Sequence, residues 1–138
     1  MHQGPPSPLG PLPVHLRREQ ALLTAAGIGT WQALAALGRE ELRALARRSR
    51  AGERRLLQLH AQARLVVEVA LAPHQAALLL HAGVADRRAL ANADAHQLQR
   101  AVARLQLRLI GPGPPPPDLA TLRRWILDAR ACFGRSGN

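Results

Sequence analysis

Apolar positions recur along this chain at helical spacing. In the stretch 53–70, Leu56, Leu59, His60, Ala63 and Val67 fall at i, i+3, i+4, i+7 and i+11, which puts them on one face of a helix. Val66, Val67 and Val69 carry strand propensity, but the spacing is a helix's, and Glu53 to about Ala70 reads as one long helix. Leu42, Leu45 and Ala46 mark the inner face of a helix over Arg39–Arg48. Leu16, Leu22, Leu23 and Ala26 fit one face of Leu16–Ala26 more loosely. Near the end of the chain, Leu119, Leu122, Ile126, Ala129 and Phe133 form a stripe with Trp125 beside it. That stripe must pack on something: the body of the same chain first, or a partner subunit, which would give a homodimer.

Polar and special residues punctuate these segments. Thr30 is an N-cap for a short helix, Trp31–Leu37, which Gly38 breaks. Pro73 suits the first turn of a helix over Pro73–Ala82. Asp86, Asp94 and Asp118 can cap helices running to about Asn92, Leu109 and Cys132. Ser49-Arg50-Ala51-Gly52 is a turn. Residues 1–13 hold five prolines and two glycines and read as a disordered arm. The proline run up to Pro117 reads as a polyproline-like spacer. The expected organisation is an arm (1–13), a helical domain (14–110), a spacer (111–117) and a C-terminal helix with its tail (118–138).

The centre of this pattern is Leu22–Trp31, where Gly27-Ile28-Gly29 joins two apolar helices. An aliphatic residue between two glycines can point into a core while the glycines turn the chain. This is the shape of a helix-hairpin-helix turn. It recurs without a gap 56 residues later: Leu22-Leu23 falls on Leu78-Leu79, Ala26-Gly27-Ile28 on Ala82-Gly83-Val84, Ala33-Leu34-Ala35 on Ala89-Leu90-Ala91, and Leu42 on Leu98. A period of this length signals a repeated supersecondary unit. The fold class is therefore all-α: two helix-hairpin-helix-like repeats around the central 53–70 helix, plus the C-terminal helix.

Composition sharpens this picture. The apolar fraction is 47 % but aromatics are only 2 %, so leucine, alanine and valine must build the core, and the first two are strong helix formers. The formal net charge is +10, with arginine as every basic residue apart from histidine. Such a balance favours nucleic acid or an acidic protein surface. One cysteine, Cys132, allows no internal disulfide and suits a reducing cytoplasm. The start lacks the features of a signal peptide. The most apolar run, Leu65–Ala72, is interrupted by Glu68 and too short for a bilayer, so no membrane role is expected.

Gly27-Ile28-Gly29 followed by Ala33 resembles the helix-hairpin-helix pattern of glycine, aliphatic, glycine, three residues, alanine. The wider stretch GIGTWQALAALGREELRAL is similar to the C-terminal domain of the RNA polymerase alpha subunit. The duplicated arrangement with a terminal Trp-Ile helix, over roughly residues 16–130, resembles an uncharacterised bacterial domain-of-unknown-function family with tandem helix-hairpin-helix-like units. In DNA-binding members of the wider superfamily the hairpin amides contact phosphate. That resemblance implies a phosphate at Gly27, Gly29 and Thr30, and the corresponding residues of the second turn are Gly83, Ala85 and Asp86. Trp31 and Gln32 stand where binding members often carry basic residues, and Asp86 would repel phosphate, partly offset by Arg87 and Arg88.

Two readings compete for Arg39–Arg55, which holds seven arginines against Glu40, Glu41 and Glu53. Arg39, Arg43 and Arg47 repeat at i, i+4 and i+8, and with Arg50 and Arg54 they could track phosphates. The alternative is a solvated face with intrahelical pairs such as Glu40 to Arg43. Arg100, Arg104 and Arg108 form a second stripe, read first as solvated. His60, His74, His81 and His96 lack the cysteine or carboxylate neighbours of a metal site, and Cys132 lacks an activating pattern. Trp31 and Trp125 read as core or interface anchors, since base-stacking surfaces carry more aromatics. With no paired nucleophile and base and no acidic metal cluster, neither catalysis nor a cofactor is expected. The leading expectation is a non-catalytic DNA- or RNA-binding accessory protein. The second is a protein-interaction adaptor.

Overall fold

The computed structural model describes residues 8–10, 12, 14–48, 53–109 and 117–136, with side chains described as far as Leu105 in the seventh helix and Ala131 in the last. A 3-10 turn, Val14–Leu16, leads into α1 (Arg17–Ala25). It is followed by α2 (Trp31–Ala35), α3 (Arg39–Arg48), α4 (Glu53–Glu68), α5 (Pro73–His81), α6 (Arg87–Ala91), α7 (Ala95–Leu109) and α8 (Leu119–Ser136). The fold is all-α; among the described residues there is no strand, only an isolated antiparallel bridge between Pro8 and Thr30. The expected turn at Ser49–Gly52 and the spacer at 111–116 lie outside the described residues.

Side-chain caps fix where the helices begin. Thr30 Oγ1 accepts the Ala33 amide at 3.0 Å, and Asp86 accepts the Ala89 amide at 2.8 Å. Asp94 takes the Gln97 amide at 3.0 Å and Asp118 the Thr121 amide at 2.8 Å. Each bond satisfies a donor that the first helical turn would leave unpaired. The same bonds stabilise the charged carboxylates and hold Asp94 and Asp118 below the usual aspartate range. At Ala72 the cap works in reverse: the backbone amide donates to the Gln75 side chain at 2.9 Å.

Some helix ends fall short of the sequence expectation. α2 stops at Ala35, because the Leu37 amide turns back to Leu34. α4 stops at Glu68, two residues before Ala70, whose φ of 60° is left-handed and ends the helix ahead of Pro73. Val66 and Val67 are helical, with Val66 buried, and Val69 is buried just beyond the helix end.

The core sits on α4, which packs against α2, α3, α5 and α6. Leu56, Leu59, Ala63, Leu65 and Val66 are its buried residues. α3 brings Leu42 and Leu45, α2 brings Trp31 and Leu34, and α5 brings Ala76, Leu78 and Leu79. α8 lies across α6 and α7. Its stripe is buried there: Leu122, Trp125, Ile126 and Ala129 are all covered by the chain itself. The face offered to a homodimer partner in the sequence reading is thus the face that α8 uses internally; Phe133 lies beyond the described side chains.

Two departures concern α1 and the arm. Of the expected inner residues only Leu23 is fully buried; Leu16 and Leu22 are half-buried and Ala26 is exposed. Glu19 is instead 1 % exposed, and its Oε1 has no hydrogen-bond partner among the described residues. The arm expected to be disordered over 1–13 is in part packed. Leu9 is buried in the core, and its amide donates to the Gly29 carbonyl at 3.0 Å. One leucine amid prolines suffices for this, because proline fixes the backbone extended and lowers the entropy lost on docking.

Two outcomes are expected. Leu122→Ala removes a fully buried side chain from the α8 interface and should cost about 2–5 kcal/mol in denaturant unfolding; an unchanged midpoint would mean that α8 does not depend on this contact. The second concerns His60, whose Nε2 lies 3.0 Å from the Leu37 carbonyl. Burial disfavours its imidazolium and pushes its pKa below the ordinary 6.5. The folded chain then binds this proton less readily than the unfolded chain. The contribution is complete above 6.5 and is lost as pH falls through the lower folded-state pKa. Melting temperature should therefore drop from about pH 7 to about pH 5, and the drop should be smaller in His60→Gln.

Candidate nucleic-acid interface

At the first turn, α1 ends and the chain reverses through Gly27, whose φ is 83°. The Gly27 amide donates to Thr24 at 3.0 Å and the Ile28 amide to Leu23 at 2.8 Å, a left-handed helix stop that drives Ile28 into the core. The second turn repeats these bonds. Gly83 has a φ of 97°, its amide donates to Leu80 at 3.0 Å, and the Val84 amide donates to Leu79 at 2.9 Å. A Cβ at Gly27 would meet nothing within 4 Å, so the backbone angle, not space, demands glycine there. Gly29 has neither a positive φ nor a crowded surround, and Ala85 fills its place in the second turn.

These bonds show what Gly27, Gly29 and Thr30 present to a ligand. The Gly27 amide is spent on Thr24, and the Thr30 hydroxyl oxygen accepts the Ala33 amide in the α2 cap. Pro8 pairs with Thr30 and Leu9 with Gly29, so the arm runs across that side of the turn. Gln20 pins the arm: its side-chain oxygen accepts the Leu12 amide at 3.0 Å, and its nitrogen donates to the Gly10 carbonyl. At the second turn Asp86 is committed to the α6 cap, and Arg87 stands 3.8 Å from Glu68, which also takes Arg64 at 2.7 Å.

The arginine face of α3 is open. Arg39, Arg43, Arg47 and Arg48 are exposed. Residues four apart on a helix stand about 6 Å apart along its axis, which lets a polyanion meet Arg39, Arg43 and Arg47 in series. Of the two acidic residues in the first turn of α3, both exposed, Glu41 accepts the Gly38 amide at 3.0 Å. Glu53 approaches Arg43 only to 3.7 Å, with both side chains more than half exposed, a geometry worth little. Arg47 Nε makes a long 3.4 Å bond to the Arg43 carbonyl. Arg50 lies outside the described residues. Arg54 lines a groove between α4, α5 and the Val14–Leu16 turn.

Further arginines are exposed elsewhere. Arg100 and Arg104 border a shallow depression on α7, and Arg123 reaches His96 at 3.4 Å. Among the described residues, no three His, Cys, Asp or Glu side chains gather closely enough to hold a metal ion. No helix among them is long and apolar enough to cross a membrane. Sequence reasoning passed over two features, the buried Glu19 and the half-exposed Leu57. The adjacent pair Leu56-Leu57 was the available signal for the second, since one helix face cannot bury both.

A family model described as Domain of unknown function (DUF4332) matches residues 13–132, and the chain belongs to that family. No curated protein and no solved structure matches it.

If the arm holds the first turn as described, Leu9→Ala should lower stability by about 2–3 kcal/mol in urea unfolding. A change within about 0.5 kcal/mol would place Leu9 outside the cooperative core.

Proposed function

We propose that this protein is a non-catalytic, nucleic-acid-binding accessory protein of the cytoplasm. Its affinity comes from the arginine face of α3, carried on a scaffold of paired helix-hairpin-helix-like turns. The observation that carries this reading is that Arg39, Arg43 and Arg47 are exposed at one-turn intervals, and the ion pair described for them, Arg43 with Glu53 at 3.7 Å, is solvent-exposed. A polyanion is the chemical class that such a line fits, because each arginine that neutralises a phosphate releases condensed counterions. The phosphate backbone is the natural target of such a line of charge. In this reading the glycine turns shape the domain, and their contribution to phosphate is secondary, since the Gly27 amide donor is already used internally and the arm runs across Gly29 and Thr30. The likeness of residues 27–45 to the RNA polymerase alpha C-terminal domain supports a nucleic-acid setting. An adaptor without any nucleic acid would have been favoured by an exposed stripe at Trp125 and Ile126, and both side chains are buried.

The test replaces Arg39, Arg43 and Arg47 together by glutamine, which removes charge but keeps helix propensity. Affinity for generic duplex or single-stranded nucleic acid should fall, and the slope of log affinity against log salt should shrink by roughly 2–3 units. Thermal stability should hardly change, because exposed charges contribute little. Absence of salt-dependent binding by the wild type, or an unchanged slope in the triple variant, would refute the reading.

A further inference from the structure

A groove of about 630 Å³ opens between α4, α5 and the Val14–Leu16 turn. Its floor is apolar, with Leu16, Leu57, Leu59 and Leu80 among its lining residues. Leu57 is 41 % exposed, one of three large hydrophobics left in water among the described residues. The rim differs in character: Arg54, Arg55, His15 and His81 stand around the floor, with Glu53 as the carboxylate. The walls are fixed before anything binds. The Arg55 guanidinium donates to the His15 carbonyl at 3.1 Å, tying the 3-10 turn to α4. Gln62 donates to the Pro73 carbonyl at 2.8 Å and ties α4 to the start of α5.

From this geometry we infer that the groove docks an acidic amphipathic helix of a partner protein. A trough with two helices among its walls accepts a further helix through apolar anchors at i, i+3 or i+4 and i+7. The cationic rim then selects a helix whose flanks carry Asp or Glu. Nucleic acid suits α3 better than this site: among the described residues no Phe, Tyr or Trp lines the groove to stack a base, and phosphate gains nothing from a leucine floor. A second copy of this chain suits it poorly too, since each copy carries a formal charge of +10. The groove adjoins the α3 stripe at Glu53, which lines it and stands 3.7 Å from Arg43, while its leucine floor lies on α4, α5 and the Val14–Leu16 turn.

The probe is a synthetic helical peptide of roughly 15–20 residues with leucines at i, i+3 and i+7 and glutamates on its flanks. Two control peptides replace the leucines by alanine or the glutamates by lysine. Fluorescence anisotropy should show binding of the acidic leucine peptide alone. Leu57→Gln should weaken it by about tenfold or more, and Arg54→Glu should weaken it while improving binding of the lysine peptide. Both positions are exposed, and a thermal melt confirms that each variant folds. No binding of the acidic peptide, equal binding of the alanine peptide, or an unchanged affinity in Leu57→Gln would overturn the inference. So would a loss of peptide affinity in the Arg39, Arg43 and Arg47 triple glutamine variant as large as that in Arg54→Glu, because that pattern places the peptide on α3. Failure of nucleic-acid binding by the wild type would refute the function proposed above and leave this measurement unaffected.

Discussion

The fold depends on the burial of one helix on several sides. α4 meets α2, α3, α5 and α6, and Leu56, Leu59, Ala63 and Leu65 are each at most 1 % exposed. A core so poor in aromatics cannot close around a few large rings. It must bring many leucines and alanines together, and a central helix does this with the least backbone. Alanine at position 63 lets a neighbouring helix approach closely, while Trp31 on α2 supplies the bulk that alanine lacks. Loss of packing along α4 therefore loosens both glycine turns at once, since α2 and α6, which follow the two turns, both rest on it.

Local chemistry is what the sequence displays most clearly. Thr30, Asp86, Asp94 and Asp118 could be named as caps from their place before apolar runs, and all four accept the amide three residues on. Gly27 and Gly83 could be named as turns, and both have the left-handed angle that glycine tolerates. The 56-residue offset carries through to the hydrogen bonds: Ile28 to Leu23 matches Val84 to Leu79, and Leu42 to Gly38 matches Leu98 to Asp94. These are interactions between near neighbours, so a short window of sequence contains both partners.

What the sequence conceals depends on a third element arriving from far along the chain. Glu19 reads as a solvent residue on a charged first turn, and nothing nearby announces that it is enclosed. Leu9 sits among prolines in a segment whose composition argues for disorder, yet the Gly29 carbonyl and the core lie within its reach. Leu57 is the opposite case: an apolar residue beside a buried leucine, left on the open side because no other described element covers it fully. The candidate site divides in the same way. The α3 stripe was legible as spacing, but that the arm lies across Gly29 and Thr30 was not, because it is set by a pairing between Pro8 and Thr30.

Electrostatic accounting explains why the arginines remain available. The chain has nineteen basic and nine acidic residues, so even complete pairing would leave a large excess. The acids are not all free to pair. Glu41, Asp86, Asp94 and Asp118 accept amides at or before helix starts, and Glu19 is buried. Such carboxylates favour helix starts, where the dipole is positive, over the arginines on outer faces. Glu68 draws Arg64 and Arg87 to the α4 end, away from α3. Of the remaining acids, Glu40 on α3 and Glu53, 3.7 Å from Arg43, are the ones near the stripe, and both are exposed to solvent. Neutralisation of that face falls to mobile counterions, and a polyanion that displaces them gains the entropy of their release. Helix capping thus deepens the scarcity of carboxylates around the arginines.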